Sequence, residues 1–393
     1  MTRVKSSTFT VTFGGWYQRT TLHLSEIYDL FLLGHSNLPL SQEKLSQLKT
    51  NLALIEVSRE VGYLEYIQAT TQEGIVIRYY EDGLYILEIE SADIPSARRQ
   101  LQHYFDNCLN PAISYIFSLG APTPKILADI KPTHPTVVLD HSHLLTPKVS
   151  SSLFGEVYSH LESQKIKVAK TPQYILISSP DLPHARDLVE MQIFFREFKD
   201  QLERYLNIHR EVWEEISQIK ERRYLRGGEV EAVRATLDSH QKTINLISSR
   251  IAQMGSYVNT RSSIARQLQL EEHLLTIFRY KFETLQNTHS YIREIWSMTS
   301  NYLATAIQVI NEVQSQSTAS GIQSLRLITT VGVLSGIIGY LSKDSFPTVT
   351  LIGIWYYFVL LLLTWIINSV IGLIYRNLRY ELKFSPLTSR VQK

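Results

Sequence analysis

Cysteine is nearly missing. The 393-residue chain has one, Cys108, so no disulfide can close within it, and a lone thiol fits a reducing cytosol. An excess of one charge is missing too. The 39 Lys and Arg against 37 Asp and Glu leave a net charge of +2. That balance supplies none of the basic field expected of a nucleic-acid partner. The opening Met1-Thr2-Arg3-Val4-Lys5-Ser6-Ser7 has no apolar core of signal-peptide length, so roughly the first 300 residues are expected to stay on the side of a membrane where they are made. Glycine and proline are absent from Ser262 to Ser320, and charge is absent from Val349 to Tyr375.

Catalytic signatures are also wanting, and the chain is read as a non-enzyme. Asp140-His141-Ser142-His143 puts two histidines at i, i+2, on one face of a strand. That suits either a metal or a plain strand end, and no Cys or Glu stands at zinc spacing. Gly120-Ala121-Pro122-Thr123-Pro124 lacks the Gly-Lys-Ser/Thr ending of a phosphate loop. Lys220, Arg222, Arg223 and Arg226 fit either an acidic ligand or a solvated helix end.

What is present begins with mixed α/β patterning over the first 180 or so residues. Thr8–Trp16 alternates as a strand does, and Gly74–Tyr80 and Leu84–Glu90 flank an Asp82-Gly83 hairpin turn. Lys125–Ile130, Thr136–Asp140 and Tyr174–Ser178 read as strands. Ser96–Leu119, interrupted near Pro111, and Val149–Ser163 read as helices.

Long helices follow. The first runs from Leu182 to about Leu225 and stops at Gly227-Gly228. The second runs from Val230 to Met254 and breaks around Gly255 and Asn259. The third starts near Ser262. In the third, steps of three and four from Ile264 pass through Leu268, Glu271, Leu275, Phe278 and Phe282 and continue to Val313, mostly through apolar residues. This heptad seam is expected to pack on other helices, of the same chain or of copies of it.

The tail is apolar. Val349–Tyr375 is long enough to cross a bilayer. Leu327–Leu341 covers only about 22 Å, against a ~30 Å hydrocarbon core, unless its flanks are included. Two transmembrane helices are expected. Arg326 before the first and Arg376, Arg379 and Lys383 after the second would anchor both ends on the cytoplasmic side. The implied divisions are a cytoplasmic α/β domain (1–180), two long helices (181–259), a stalk helix (260–325), a first transmembrane helix (326–342), an external loop (343–348), a second transmembrane helix (349–376) and a basic tail (377–393).

This order resembles the CorA-type divalent-cation channels. Gly336-Ile337-Ile338-Gly339-Tyr340-Leu341 is similar to that family's Gly-x-x-Gly-Met-Asn, with Tyr-Leu in place of Met-Asn. In another register, Leu325-Arg326-Leu327-Ile328-Thr329 is similar to the Met-Lys-x-Leu-Thr at the inner start of the family's first span. The resemblance implies a homopentamer in the plasma or inner membrane, with both termini cytoplasmic and the lipid bilayer as its other partner. It also implies a divalent cation such as Mg2+ as substrate or regulator, and no organic cofactor. On that reading Asn311, Ser315, Thr318, Ile322, Leu325, Thr329, Gly332 and Gly336 line a pore, and Gly339, Tyr340, Leu341 and Asp344 form its outer mouth. The competing expectation is a ligand-sensing effector or anchored sensor that transports no magnesium.

Overall fold

The computed structural model describes residues 9–17, 24–117, 135–141, 154–163, 166–341 and, further on, 355, 358–359, 362, 365–367, 369–370, 373 and 377–382. The chain divides into two units, Met1–Asn207 with Ile247–Glu294, and Ile208–Leu246 with Ile295–Lys393.

Alternating sequence builds a mixed sheet of nine strands in the first unit. The strands are β1 (Phe9–Trp16), β2 (Leu54–Val61), β3 (Glu65–Thr71), β4 (Val76–Tyr80), β5 (Leu84–Ser91), β6 (Thr136–Asp140), β7 (Ser159–Ser163), β8 (Ile166–Lys170) and β9 (Tyr174–Ser178). Their spatial order is β2-β3-β4-β5-β1-β6-β9-β8-β7. Neighbours run antiparallel except β6 and β9, which are parallel.

The period of two along β1 sends its side chains to two different cores. Phe9 and Val11 join Ile27, Leu45, Leu101 and Ile113 from α1 (Leu24–Leu33), α2 (Gln42–Leu52), α3 (Ile94–Tyr104) and α4 (Asn110–Ile116). Trp16, of the opposite parity, stacks on Phe198 at 5.5 Å and tilts against Phe194 at 5.8 Å, both on α5 (Leu182–Glu221). With both faces covered, β6 and β9 are buried at every position. That is why Thr-Val-Val-Leu-Asp and Tyr-Ile-Leu-Ile-Ser read as apolar runs and not as alternation.

Local chemistry sets the helix ends. Ser41 and Asp93 cap α2 and α3 by accepting the N–H of Lys44 and Ser96. The interruption near Pro111 is a π-helical turn, Phe105–Leu109, after which Pro111 sits in the first turn of α4, where no N–H is needed.

Three long helices follow the sheet: α5, α6 (Val230–Gln267) and α7 (Phe282–Leu341). The expected break at Gly255 is absent. The His289 ring occupies the place of a side chain there, since a Cβ on Gly255 would lie 2.9 Å from its Cε1. This glycine is a point of close helix approach and not a stop. The break falls later, where Gln269 and Arg279 adopt φ of 56° and 58° around a short helical turn (Glu271–His273) and a π-helical turn (Leu274–Phe278). The third helix therefore begins at Phe282 and not near Ser262. From there the seam is buried at every position: Phe282, Leu285, His289, Ile292, Trp296, Thr299, Leu303, Ala306, Ile310 and Val313.

In the second unit, Trp213 stacks on Tyr302 at 4.7 Å, and Lys220 Nζ lies 4.1 Å from the centre of the same ring. The Thr299 hydroxyl donates to the Ile295 carbonyl at 2.9 Å, so His209 Nε2 must be the donor in its 2.7 Å bond to Thr299 Oγ1. β10 (Tyr224–Arg226) pairs antiparallel with β11 (Arg379–Glu381).

Several sequence expectations are corrected. Among the described residues no helix is long and apolar enough to cross a membrane. The two transmembrane helices are withdrawn, and with them the integral-membrane placement and the ion-transport, channel reading. The apolar end of α7 is the last stretch of a 60-residue helix, and Leu327–Leu341 alone falls short of a bilayer core by about 8 Å. The described residues between Val349 and Tyr375, among them Trp365–Ile367, are helical. Residues 159–163, expected in a helix, form β7 instead, paired with β8. The basic cluster straddles the end of α5, with Lys220 in its last turn and Arg226 in the strand Tyr224–Arg226 that follows. The strand expected at Lys125–Ile130 lies outside the described residues.

Candidate functional site

The densest polar chemistry in the first unit gathers at the tip of the β4–β5 hairpin. The turn needs glycine, because Gly83 has φ +85° and a Cβ there would lie 2.2 Å from the Tyr17 carbonyl oxygen. That tight turn points Asp82 inward. Its Oδ1 accepts the Leu84 N–H at 3.1 Å, and its backbone carbonyl accepts the Trp16 indole N–H at 2.5 Å.

Asp82 meets Arg261 of α6. Arg261 Nε donates to Asp82 Oδ2 at 2.7 Å, and Nη2 donates to Oδ1 at 3.1 Å. This two-point geometry fixes orientation as well as charge. Nη1 donates to Glu190 Oε1 of α5 at 2.9 Å, and Glu190 Oε2 accepts the Tyr80 hydroxyl at 2.6 Å. The guanidinium carbon lies 4.8 Å from the centre of the Tyr80 ring and 5.3 Å from that of Phe194. Arg261 and Asp82 are each 2% exposed. A second cluster sits on the same two strands, where Glu88 accepts from Arg78 at 3.1 Å and from Arg186 at 3.0 Å.

Burial opposes the Arg261 charge, but Asp82 and Glu190 outweigh it and hold the guanidinium above its ordinary value. Burial, reinforced by Glu190, pushes the Tyr80 phenol well up, so it stays a donor. Burial and then the neighbouring Asp82 raise the Glu81 carboxyl. Asp187, one turn before Glu190 on α5, is raised by burial first and Glu190 second. The arrangement is a closed charge lock. Its cations, carboxylates and phenol are committed to one another, and among the described residues no group of three or more side chains is placed to hold a metal ion.

None of the site residues expected from the sequence belongs to this lock. Asn311, Ser315, Thr329, Gly332 and Gly336 lie exposed along one stripe of α7. Thr318, Ile322, Leu325, Arg326, Gly339, Tyr340 and Leu341 belong to the same helix, their side chains outside the described residues. Their assignment to a pore and its mouth rested on spanning helices, and among the described residues no helix is long and apolar enough to cross a membrane. Asp344, Arg376 and Lys383 lie outside the described residues. Arg379, expected at a membrane face, sits in β11 opposite Arg226. His141 Nε2 lies 2.5 Å from Thr10 Oγ1 at the end of β6.

Sequence reasoning reached the Asp82-Gly83 turn but not its partners. A signal for Arg261 does exist. The buried stripe of α6 passes through Ile247, Ile251, Met254 and Val258 and then lands on Arg261, and a charge at a seam position needs a buried counter-charge.

The fold and site define a mixed α/β sheet domain joined to long helices, with an electrostatic lock between hairpin and helix. No family model, curated protein or solved structure matches the chain.

Proposed function

We propose that the protein is a non-catalytic sensor module, in which a ligand or partner acting on the sheet is read out by the helices through the Asp82–Arg261–Glu190 lock. The observation that carries this reading is the placement of Arg261. One fully buried guanidinium divides its donors between a sheet hairpin and α5 while itself standing on α6. Buried ion pairs add little net stability over an apolar replacement, and their best-attested use is to select one arrangement over others. A lock of this kind makes the hairpin and the two helix segments move together or not at all.

Hydrogen exchange on the full chain tests the coupling. The comparison is between wild type and the charge-free triple variant Asp82→Asn/Glu190→Gln/Arg261→Met. Coupling predicts faster exchange in residues 76–91, 182–207 and 247–267 together. Faster exchange confined to 76–91, with the helix segments as protected as before, would overturn it.

A further inference from the structure

We propose that His184 and His273 form a binding site for a divalent transition metal such as Zn2+, at the N-terminal turn of α5. His184 lies in the first turn of α5, its N–H donated to Asp181 Oδ1 at 3.2 Å. His273 closes the short helical turn Glu271–His273. Their ring centroids are 5.4 Å apart, with planes at 75°. Two imidazoles on one tetrahedral ion, with Zn–N of ~2.0–2.1 Å and about 1.1 Å from nitrogen to ring centre, would set their centroids about 5.2 Å apart. The observed 5.4 Å spacing of the ring centres is close to that value.

An edge-to-face ring contact alone would give similar spacing. The second observation separates the two. His273 is 8% exposed, and its Nδ1 has no hydrogen-bond partner among the described residues. A buried polar nitrogen left unpaired is costly, and a metal bond relieves that cost. Burial first, and then the facing His184, hold His273 below the ordinary imidazole value.

Two nitrogens make an open site, with the remaining positions left to water. This suits a borderline-soft ion that favours imidazole and disfavours magnesium, whose preference is for oxygen. The Asp187 carboxyl, one turn beyond His184 and electrostatically coupled to it, is a candidate to join the shell by a change of rotamer. The site shares no residue with the charge lock, and its test does not depend on the sensor reading.

The test is calorimetric titration of the metal-stripped full chain with Zn2+, joined to Cu2+ electron paramagnetic resonance. Wild type is expected to take one ion per chain and to show coupling to two imidazole nitrogens. His184 is half-buried, so His184→Gln should fold. It should weaken binding by at least the about tenfold that even outer-shell changes cost, and it should leave one coupled nitrogen. His273→Gln should do the same, and the exposed His35→Gln should change nothing. Unaltered affinity and two coupled nitrogens in His184→Gln would overturn the proposal, as would an equal loss in His35→Gln. Should His273→Gln lose its circular-dichroism signature, His184→Gln decides alone.

Discussion

Removing the Arg261 charge gives the sharpest test of the lock. Arg261→Met keeps the apolar stem that packs near Tyr80 and Phe194 but strands two carboxylates. The Asp82 side chain is 1% exposed and that of Glu190 17%, so neither can recover full hydration without opening the structure. Breaking a buried pair from one side costs about 3–5 kcal/mol. At ~1.36 kcal/mol per decade this is about two to almost four orders of magnitude in the unfolding equilibrium. With a urea dependence of about 1–3 kcal/mol per molar, the midpoint should fall by about 1 M or more. The readout is exchange protection of residues 76–91 across a urea series, which follows the first unit by itself. The triple variant with Asp82→Asn and Glu190→Gln removes the stranded charges and should recover most of the loss. An Arg261→Met shift below about 1 kcal/mol, or a triple variant as unstable as the single, would show that the pair is not carrying the desolvation cost assigned to it.

Other consequences follow from single contacts. Gly255→Ala should gain about 1 kcal/mol of helix propensity. It should still destabilise, because its Cβ meets a His289 ring held by a 2.6 Å bond to the Ile251 carbonyl. The same change in a His289→Ala background should stabilise, and a double-mutant cycle by chemical denaturation reads the sign. Gly83→Ala forces a side chain into a left-handed turn and against the Tyr17 carbonyl, so it should be among the most damaging hairpin substitutions, visible as a loss of thermal stability. His209, His273 and His289 are each held below the ordinary value of 6.5, chiefly by burial. The unfolded chain therefore binds more protons than the folded one once pH drops below that value. Stability should be full above about pH 6.5 and fall as acid is added. Melting temperatures between pH 7.5 and 5.5 that stay flat would contradict this.

Much of the architecture is legible in the order of residues along the chain, for reasons that differ by element. The Asp82-Gly83 turn and the apolar runs Thr136–Asp140 and Tyr174–Ser178 are short-range signals, carried by a few adjacent residues whose backbone preferences and burial agree. The seam from Phe282 to Val313 repeats at helical spacing, and a repeat of that length leaves one face apolar whatever surrounds it. β7 escapes such a reading because Ser-His-Leu-Glu-Ser is a weak alternation that becomes a strand only by pairing with β8. β10 and β11 are three residues each, too short to carry a pattern.

The sequence by itself determined periodicity, turn chemistry and the near-neutral charge, because each is set by neighbours along the chain. Tertiary structure alone decided which charges meet. Arg261 lies 179 positions from Asp82 and 71 from Glu190, and no local preference links residues so far apart. Only when both faces of the sheet are covered does water leave that corner, and only then must a buried guanidinium find its carboxylates.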